Sequence, residues 1–274
     1  MNLTSLSALL ARRERRPDSV AFDIPDDWLQ GRTSFGGLVS AFAVQAMRDV
    51  AGDRWPADVA LRALQTNFIA PVGQGAVEVG VQVLREGRSV RQVQAVVRQS
   101  GETVALMVGV FGGPRPTSLP ALRPQRPAPR REVGAIAPSP FVPGLRPNFV
   151  AHLDMRWADG TPPFSASPDW RASIHLRLVD ADAATLPPEI LTVLMADAFP
   201  TPALSHFREP SPASSVSWAL ELRPLPAHEP LDGHWRADNL VIAAQDGYVN
   251  QQATLWSPSG ALAALAYQVV TVYG

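Results

Sequence analysis

One carboxylate stands alone in an apolar run of this chain. Asp197 is the only charged residue between Ile190 and Leu204, inside Ile-Leu-Thr-Val-Leu-Met-Ala-Asp-Ala-Phe. Burial disfavours a carboxylate's charged form and raises its pKa unless hydrogen bonds compensate, which is how a general base is tuned. The alternative is an acid exposed at a helix end, because Pro200 and Pro202 stop the helix there. Gln268 poses the same question on a strand, since Ala261 to Val272 holds no other amide and no charge. A buried amide without partners costs about 1–3 kcal/mol. Gln268 therefore either belongs to a site or is satisfied by backbone within the core. The five histidines (His152, His175, His206, His228 and His234) form no spaced metal pair, so no metal site and no cofactor are expected. Gly-x-Ser-x-Gly, phosphate-loop and dinucleotide fingerprints are absent as well.

Two helices and two sets of strands must position these residues. Leu38 to Val50 reads as a mainly apolar helix behind Gly36-Gly37, stopped near Gly52, and a second helix runs from about Pro188 to about Phe199. After the first come strand runs Leu61 to Ile69, Ala76 to Leu84, Val90 to Gln99 and Thr103 to Phe111. The second helix is preceded by strands at Val150 to Trp157 and Trp170 to Leu178. It is followed by Ser214 to Leu222, Ala237 to Ala244, Val249 to Trp256 and Ala261 to Val272. Between the two sets, residues 114–148 are crowded with Pro and Arg and read as a linker. Met1 to Arg16 reads as an amphipathic helix around Leu6, Leu9 and Leu10, with its arginines placed opposite to the order of a secretory signal.

The chain has 274 residues, 46% of them hydrophobic, enough for a packed core. Its 24 basic and 25 acidic residues leave a net charge of −1, which argues against a nucleic-acid partner. All the basic residues are Arg, most simply the codon bias of a GC-rich bacterial genome. No run approaches the roughly 18 apolar residues of a membrane span, and the absence of Cys fits a reducing cytoplasm.

The second set repeats the first. Gly36-Gly37-Leu38 falls on Pro188-Glu189-Ile190, Pro71 on Pro224, Gly87 on Gly247 and Gly101 on Gly260. A helix apolar nearly all round, followed by an antiparallel sheet, must be wrapped by that sheet. The expectation is an α+β tandem (double) hotdog, two antiparallel sheets each wrapping a central helix. Its parts are an N-terminal repeat over 1–113, the linker over 114–148 and a C-terminal repeat over 149–274. Under the same alignment the first-half counterparts of Asp197, Ser214 and Gln268 are Gln45, Leu61 and Gly109, so the polar choices fall in one half.

Gly31-Arg-Thr-Ser-Phe-Gly-Gly-Leu, Gln65-Thr-Asn-Phe-Ile-Ala-Pro-Val, Arg85-Glu-Gly-Arg-Ser-Val-Arg-Gln and Gly260-Ala-Leu-Ala-Ala-Leu-Ala-Tyr-Gln resemble the TesB-like (thioesterase II) double-hotdog acyl-CoA thioesterases, over essentially the whole chain. The resemblance implies hydrolysis of a fatty or related acyl-CoA by water held by an Asp, a Thr or Ser and a Gln. Asp197 and Gln268 fall on the first and last. Ser214, ten residues before Pro224, falls on the second, and the run Ser214, Ser215, Ser217 leaves that position open by a residue or so. A thioester attacked by water becomes an oxyanion, and Gly37 at a helix N-terminus is the expected donor to it; the alternative is that the glycines only allow close packing. The acyl chain is expected among Leu38, Phe42, Leu194 and Phe199. Arg85, Arg88 and Arg91 are the candidates for the CoA phosphates, against the commoner fate of solvated charge. A homodimer is expected. Two rivals remain: a non-catalytic acyl-binding protein, and a hotdog enoyl-thioester hydratase, which would need a His that neither central helix contains.

Overall fold

A computed structural model describes residues 3–273. The chain opens with α1 (Leu6–Ala11), N-capped by the Ser5 side chain, with Leu6, Leu9 and Leu10 buried. The helix expected over Met1 to Arg16 is thus shorter, and its first two residues lie outside the described ones. Then come β1 (Glu14–Arg15), β2 (Ser19–Ile24), β3 (Leu29–Gln30) and β4 (Thr33–Ser34). β2 was not among the expected strands, although Val20, Phe22 and Ile24 alternate inward in it.

The first central helix is α2 (Gly36–Ala51), followed by β5 (Ala60–Phe68), β6 (Gly75–Glu86), β7 (Val90–Gln99) and β8 (Glu102–Gly112). After the linker come β9 (Leu153–Asp159), β10 (Arg171–Leu178) and α3 (Pro188–Ala196), then β11 (Ala213–Leu222), β12 (Trp235–Gln245), β13 (Tyr248–Trp256) and β14 (Leu262–Val272). The expected second helix is three residues shorter than read, because the chain turns out at Asp197 ahead of Pro200. Residues 114–148 carry the 3-10 turn Val133–Ala135, lead into a second at Asn148–His152, and are pinned by bonds such as Ser139 N–H to Met155 O at 2.8 Å.

The expected pair of sheets is instead one continuous twelve-stranded antiparallel sheet, in the order β1-β2-β6-β7-β8-β5-β11-β14-β13-β12-β10-β9. The two halves join because β5 and β11, each the first strand after its helix, pair with each other around Gln65 and Ala219. Their edges, which would otherwise expose unpaired backbone, satisfy one another. α2 packs on β2, β6, β7 and β8, α3 packs on β11, β13 and β14, and the helices touch each other. From Gly37 to Met47 every residue of α2 is buried, which accounts for its apolar run. Among the described residues no helix is long and apolar enough to cross a membrane.

Candidate active site

Asp197 is the C-cap of α3, its N–H still bonded to Leu194 O at 3.3 Å. Its carboxyl faces the start of the other helix. A Cβ built on Gly36 would stand 2.9 Å from Asp197 Oδ2, and the Gly37 N–H donates to the carboxylate. The N-terminus of α2, with its partial positive charge, thus meets an acid from the opposite half. Gly37 is equally constrained, since a Cβ there would lie 3.0 Å from Leu194 O and closer still to the Phe35 ring. From the other side Gln268 Nε2 donates to Asp197 Oδ1 at 3.0 Å. Burial is the largest influence on this carboxyl and raises its pKa from 3.8 to about 7, against the two hydrogen bonds, which favour the charged form. Part of the residue still reaches solvent. The carboxyl itself is enclosed, and that enclosure sets its proton affinity.

Gln268 makes two further contacts. Its Nε2 also donates to Ser215 Oγ at 2.7 Å, and its Oε1 accepts from Gln251 Nε2 at 2.7 Å. The hydroxyl beside Gln268 is therefore that of Ser215. Ser214, which the sequence favoured, is exposed and lies opposite Thr271. The reason is a register shift between Ser215 and Ser217. Such a bulge resets the two-residue alternation, so Ser215 shares a face with Trp218 and Gln268, and Ser214 turns away.

These residues belong to a polar stripe that crosses four strands under the point where α3 ends. On β14 the inward sequence is Ala266, Gln268, Val270; on β13 it is Ala253, Gln251, Val249; on β12 it is Ala237, Asn239, Val241. The apolar residues on one side belong to the main core, and Val241, Val249 and Val270 form a separate small cluster with Ala203. Among the described residues Gln251 Oε1 and both amide atoms of Asn239 are buried without partners. Neither Gln251 nor Asn239 was singled out from the sequence: Gln251 stands between two other amides, Asn250 and Gln252, and only the strand register shows that it is the one turned inward.

Other expectations are corrected. Leu38, Phe42 and Leu194 are fully buried in the continuous core, and Phe42 stacks on Phe22 at 4.2 Å, so only Phe199 is partly open. The apolar helix pair fills its own interior here in place of an open acyl channel. Arg85, Arg88 and Arg91 sit at the β6–β7 hairpin, near Gly112 and the first residue of β5. Phe68, which packs near Gly36 beside Asp197, is the last residue of β5. Nine extended residues separate those ends by about 25 Å, so the three arginines do not rim the Asp197 site. Arg91 instead pairs with Glu86 and lies over Trp55. Gly37 donates to Asp197 in this structure, not to an open oxyanion site. A cavity of about 300 Å³ that touches Gln268 lies chiefly against exposed Gln65, Asn67, Ile242 and Tyr267, and Asp197 is not among its walls.

The equivalent place in the first half is closed. β5 carries the matching bulge between Leu61 and Ala63, and Leu64 pairs with Gly109 as Trp218 pairs with Gln268. Leu61 is thus the structural counterpart of Ser215, one residue from the alignment read in the sequence. Around Gly109 the space is filled by Met47 Sδ, the Phe111 ring and Leu61. At the N-terminus of α3, Glu189 forms a bidentate ion pair with Arg48 and accepts from the Leu61 N–H at 3.1 Å.

Residues 24–112 match the family model of the acyl-CoA thioesterase N-terminal domain, and residues 124–272 match that of the acyl-CoA thioesterase C-terminal domain. No curated protein matches the sequence. Among solved structures the chain is similar to a conserved protein of unknown function with a hot dog fold from Alicyclobacillus acidocaldarius, with TM-score 0.80, 19% identity and 99% of each chain covered. It is similar also to the tesB protein of Mycobacterium avium subs paratuberculosis, with TM-score 0.74, 17% identity, 99% of this chain and 100% of that one covered. The acyl-CoA thioesterase II TesB2 of Mycobacterium marinum matches with TM-score 0.71, 16% identity and 97% of each chain covered. At these identities the likeness shows a shared hotdog fold.

Proposed function

The chain belongs to the acyl-CoA thioesterase family, and on that premise we propose that it hydrolyses a fatty or related acyl-CoA to the free acid and CoA with water activated by Asp197, Gln268 and Ser215. The observation that carries this reading is the Asp197 carboxyl, held between Gln268 Nε2 and the Gly37 N–H and raised to about 7. A base whose pKa lies near the working pH both exists ionised and accepts a proton readily.

Asp197 takes a proton from water while the water oxygen forms its bond to the thioester carbonyl carbon. The carbonyl becomes an oxyanion. Protonation of Asp197 removes the negative charge that engages the Gly37 N–H, and this donor at the start of α2 becomes free to serve the oxyanion. Collapse of the intermediate breaks the C–S bond, and the proton on Asp197 passes to the departing CoA thiolate. Gln268 holds the base through Nε2, and the Ser215 hydroxyl, bonded to the same amide, is the group beside it that holds the water. The acyl chain enters beside Phe199, the partly open apolar side chain two residues from Asp197. The division into repeats over 1–113 and 149–274, each sheet half wrapping its own helix, is part of the same reading, and so is a homodimer, which light scattering tests.

Free thiol released from a panel of acyl-CoAs, acetyl to palmitoyl and aromatic, is the direct assay. Hydrolysis by the natural chain and its loss in Asp197→Asn supports the proposal. Equal release by both contradicts it, and release by neither, with acyl-CoA still bound, points to a binding protein. Attack by Asp197 itself through an anhydride would put labelled oxygen into its carboxylate within a single turnover, and attack by water would not.

A further inference from the structure

Gln268 works only one way round. An ionised carboxylate accepts and cannot donate, so Asp197 requires the NH2 end of the amide. A half-turn of that amide would set Oε1 against the carboxylate and replace an attraction by a repulsion. Ser215 cannot enforce the choice, because a hydroxyl donates and accepts with equal ease. The oxygen end is the discriminating one. Gln268 Oε1 accepts from Gln251 Nε2 at 2.7 Å, and Gln251 is 4% exposed.

We propose that Gln251 is a positioning residue, which by donating to Gln268 Oε1 keeps the Gln268 NH2 turned toward Asp197 and Ser215. The proposal rests on the reading that Asp197 is the general base. Gln251 is itself committed to this orientation. Turned over, it would bring its own oxygen against Gln268 Oε1; as it stands, its Oε1 has no partner, and the amide of Asn239 one strand further on has none either. An unpartnered buried acceptor is costly. Its retention here is understandable if the donor end is what the site needs.

The groups that bear on Asp197 are few. Besides burial they are the Gln268 amide and the Gly37 N–H. The elements packed around it carry Arg48 and Asp49 toward the far end of α2, Glu189 at the far end of α3, Arg62 early in β5 and exposed Glu221, Tyr248 and Tyr267 on β11, β13 and β14. Loss of the Gln268 donor is therefore read directly at the Asp197 carboxyl.

The test uses Gln251→Met, which keeps the length and loses the donor, and Gln251→Glu, which when ionised accepts and draws the Gln268 NH2 away from Asp197. The Asp197 carboxyl is titrated by carbon-13 NMR, and thiol release is followed in parallel. In Gln251→Met the midpoint should rise by about 0.5 to 1 pH unit, the weight of one hydrogen bond. The kcat should fall about tenfold with KM changed less than about twofold. In Gln251→Glu both effects should be larger. A midpoint that moves by less than about 0.2 unit in both variants overturns the proposal. Should Gln251→Met not fold, Gln251→Asn, one methylene too short to reach, carries the same expectation. The titration needs no turnover, so a natural chain that hydrolyses no acyl-CoA contradicts the proposed function alone, while an unmoved midpoint contradicts the role of Gln251 alone.

Discussion

The two ends of the helix pair are built on one plan and finished differently. At one end the N-terminus of α2 meets Asp197, and the sheet beneath supplies Ser215, Gln268 and Gln251. At the other the N-terminus of α3 carries Glu189 against Arg48, and the sheet beneath supplies Leu61, Gly109 and Phe111. Both positive helix ends have an acid. At the end over the first-half sheet that acid, Glu189, is neutralised by a guanidinium and the polar stripe is replaced by packed apolar groups. At the end over the second-half sheet the acid, Asp197, has no cation among the described residues, burial lifts its pKa, and buried amide atoms are left without partners there. A closed, satisfied end contributes stability, and an end with unspent hydrogen-bonding capacity is available for chemistry.

The sharpest way to break this comparison is Asp197→Asn, which should lower kcat by about a thousandfold, within the range of general-base removal, as read by thiol release. The same variant should be more stable at alkaline pH. Asp197 has a folded pKa raised from 3.8 to about 7, so the folded state favours the neutral form. That contribution is complete below about pH 4 and is lost as pH rises through about 7, an effect on the order of 4 kcal/mol at 1.36 kcal/mol per unit. Thermal melts of the two chains should diverge between those pH values, with Asp197→Asn the higher.

Next comes the amide and then the hydroxyl. Gln268→Leu should cost about a hundredfold in kcat and Ser215→Ala about tenfold, through loss of one charge-assisted and one neutral hydrogen bond. Ser214→Ala should leave kcat within about twofold, since surface changes away from such features are nearly neutral. A reversal of the two serines in this assay would contradict the assignment of the hydroxyl to Ser215.

Variants at the closed end should act on stability more than on activity. Arg48→Met leaves Glu189 without its cation and should cost about 1–3 kcal/mol in unfolding free energy, less than a fully buried pair because both side chains keep some solvent. Gly109→Ala would drive a methyl to 2.7 Å from Met47 Sδ and 2.9 Å from Phe111, and should cost about 1–3 kcal/mol by overpacking. Both variants should keep kcat within about threefold. A large loss of activity in either, with folding intact, would show that the two ends are not separable.

Much of this was legible in the chain. Two helices with apolar residues on every side, ten of the strand runs, and an acid and an amide out of keeping with their surroundings were all present as patterns. The joining of β5 to β11 was not, because strand pairing across halves depends on edges that local alternation cannot assign. Ser215 was displaced by one position for a related reason: a bulge changes which residues face inward without changing the composition of Ala213 to Leu222. The arginines failed through distance. Arg85, Arg88 and Arg91 cluster at the β6–β7 hairpin, and only the register of β7 on β8 and β8 on β5 reveals which end of the sheet that hairpin occupies.

The most direct measurement sets two titrations side by side: the acid limb of kcat/KM for acyl-CoA hydrolysis and the carbon-13 shift of the Asp197 carboxyl in the free protein. A general base at Asp197 requires both midpoints at about 7 and the limb absent from Asp197→Asn. A carboxyl that titrates near its ordinary 3.8, or a limb that survives in Asp197→Asn, would contradict it.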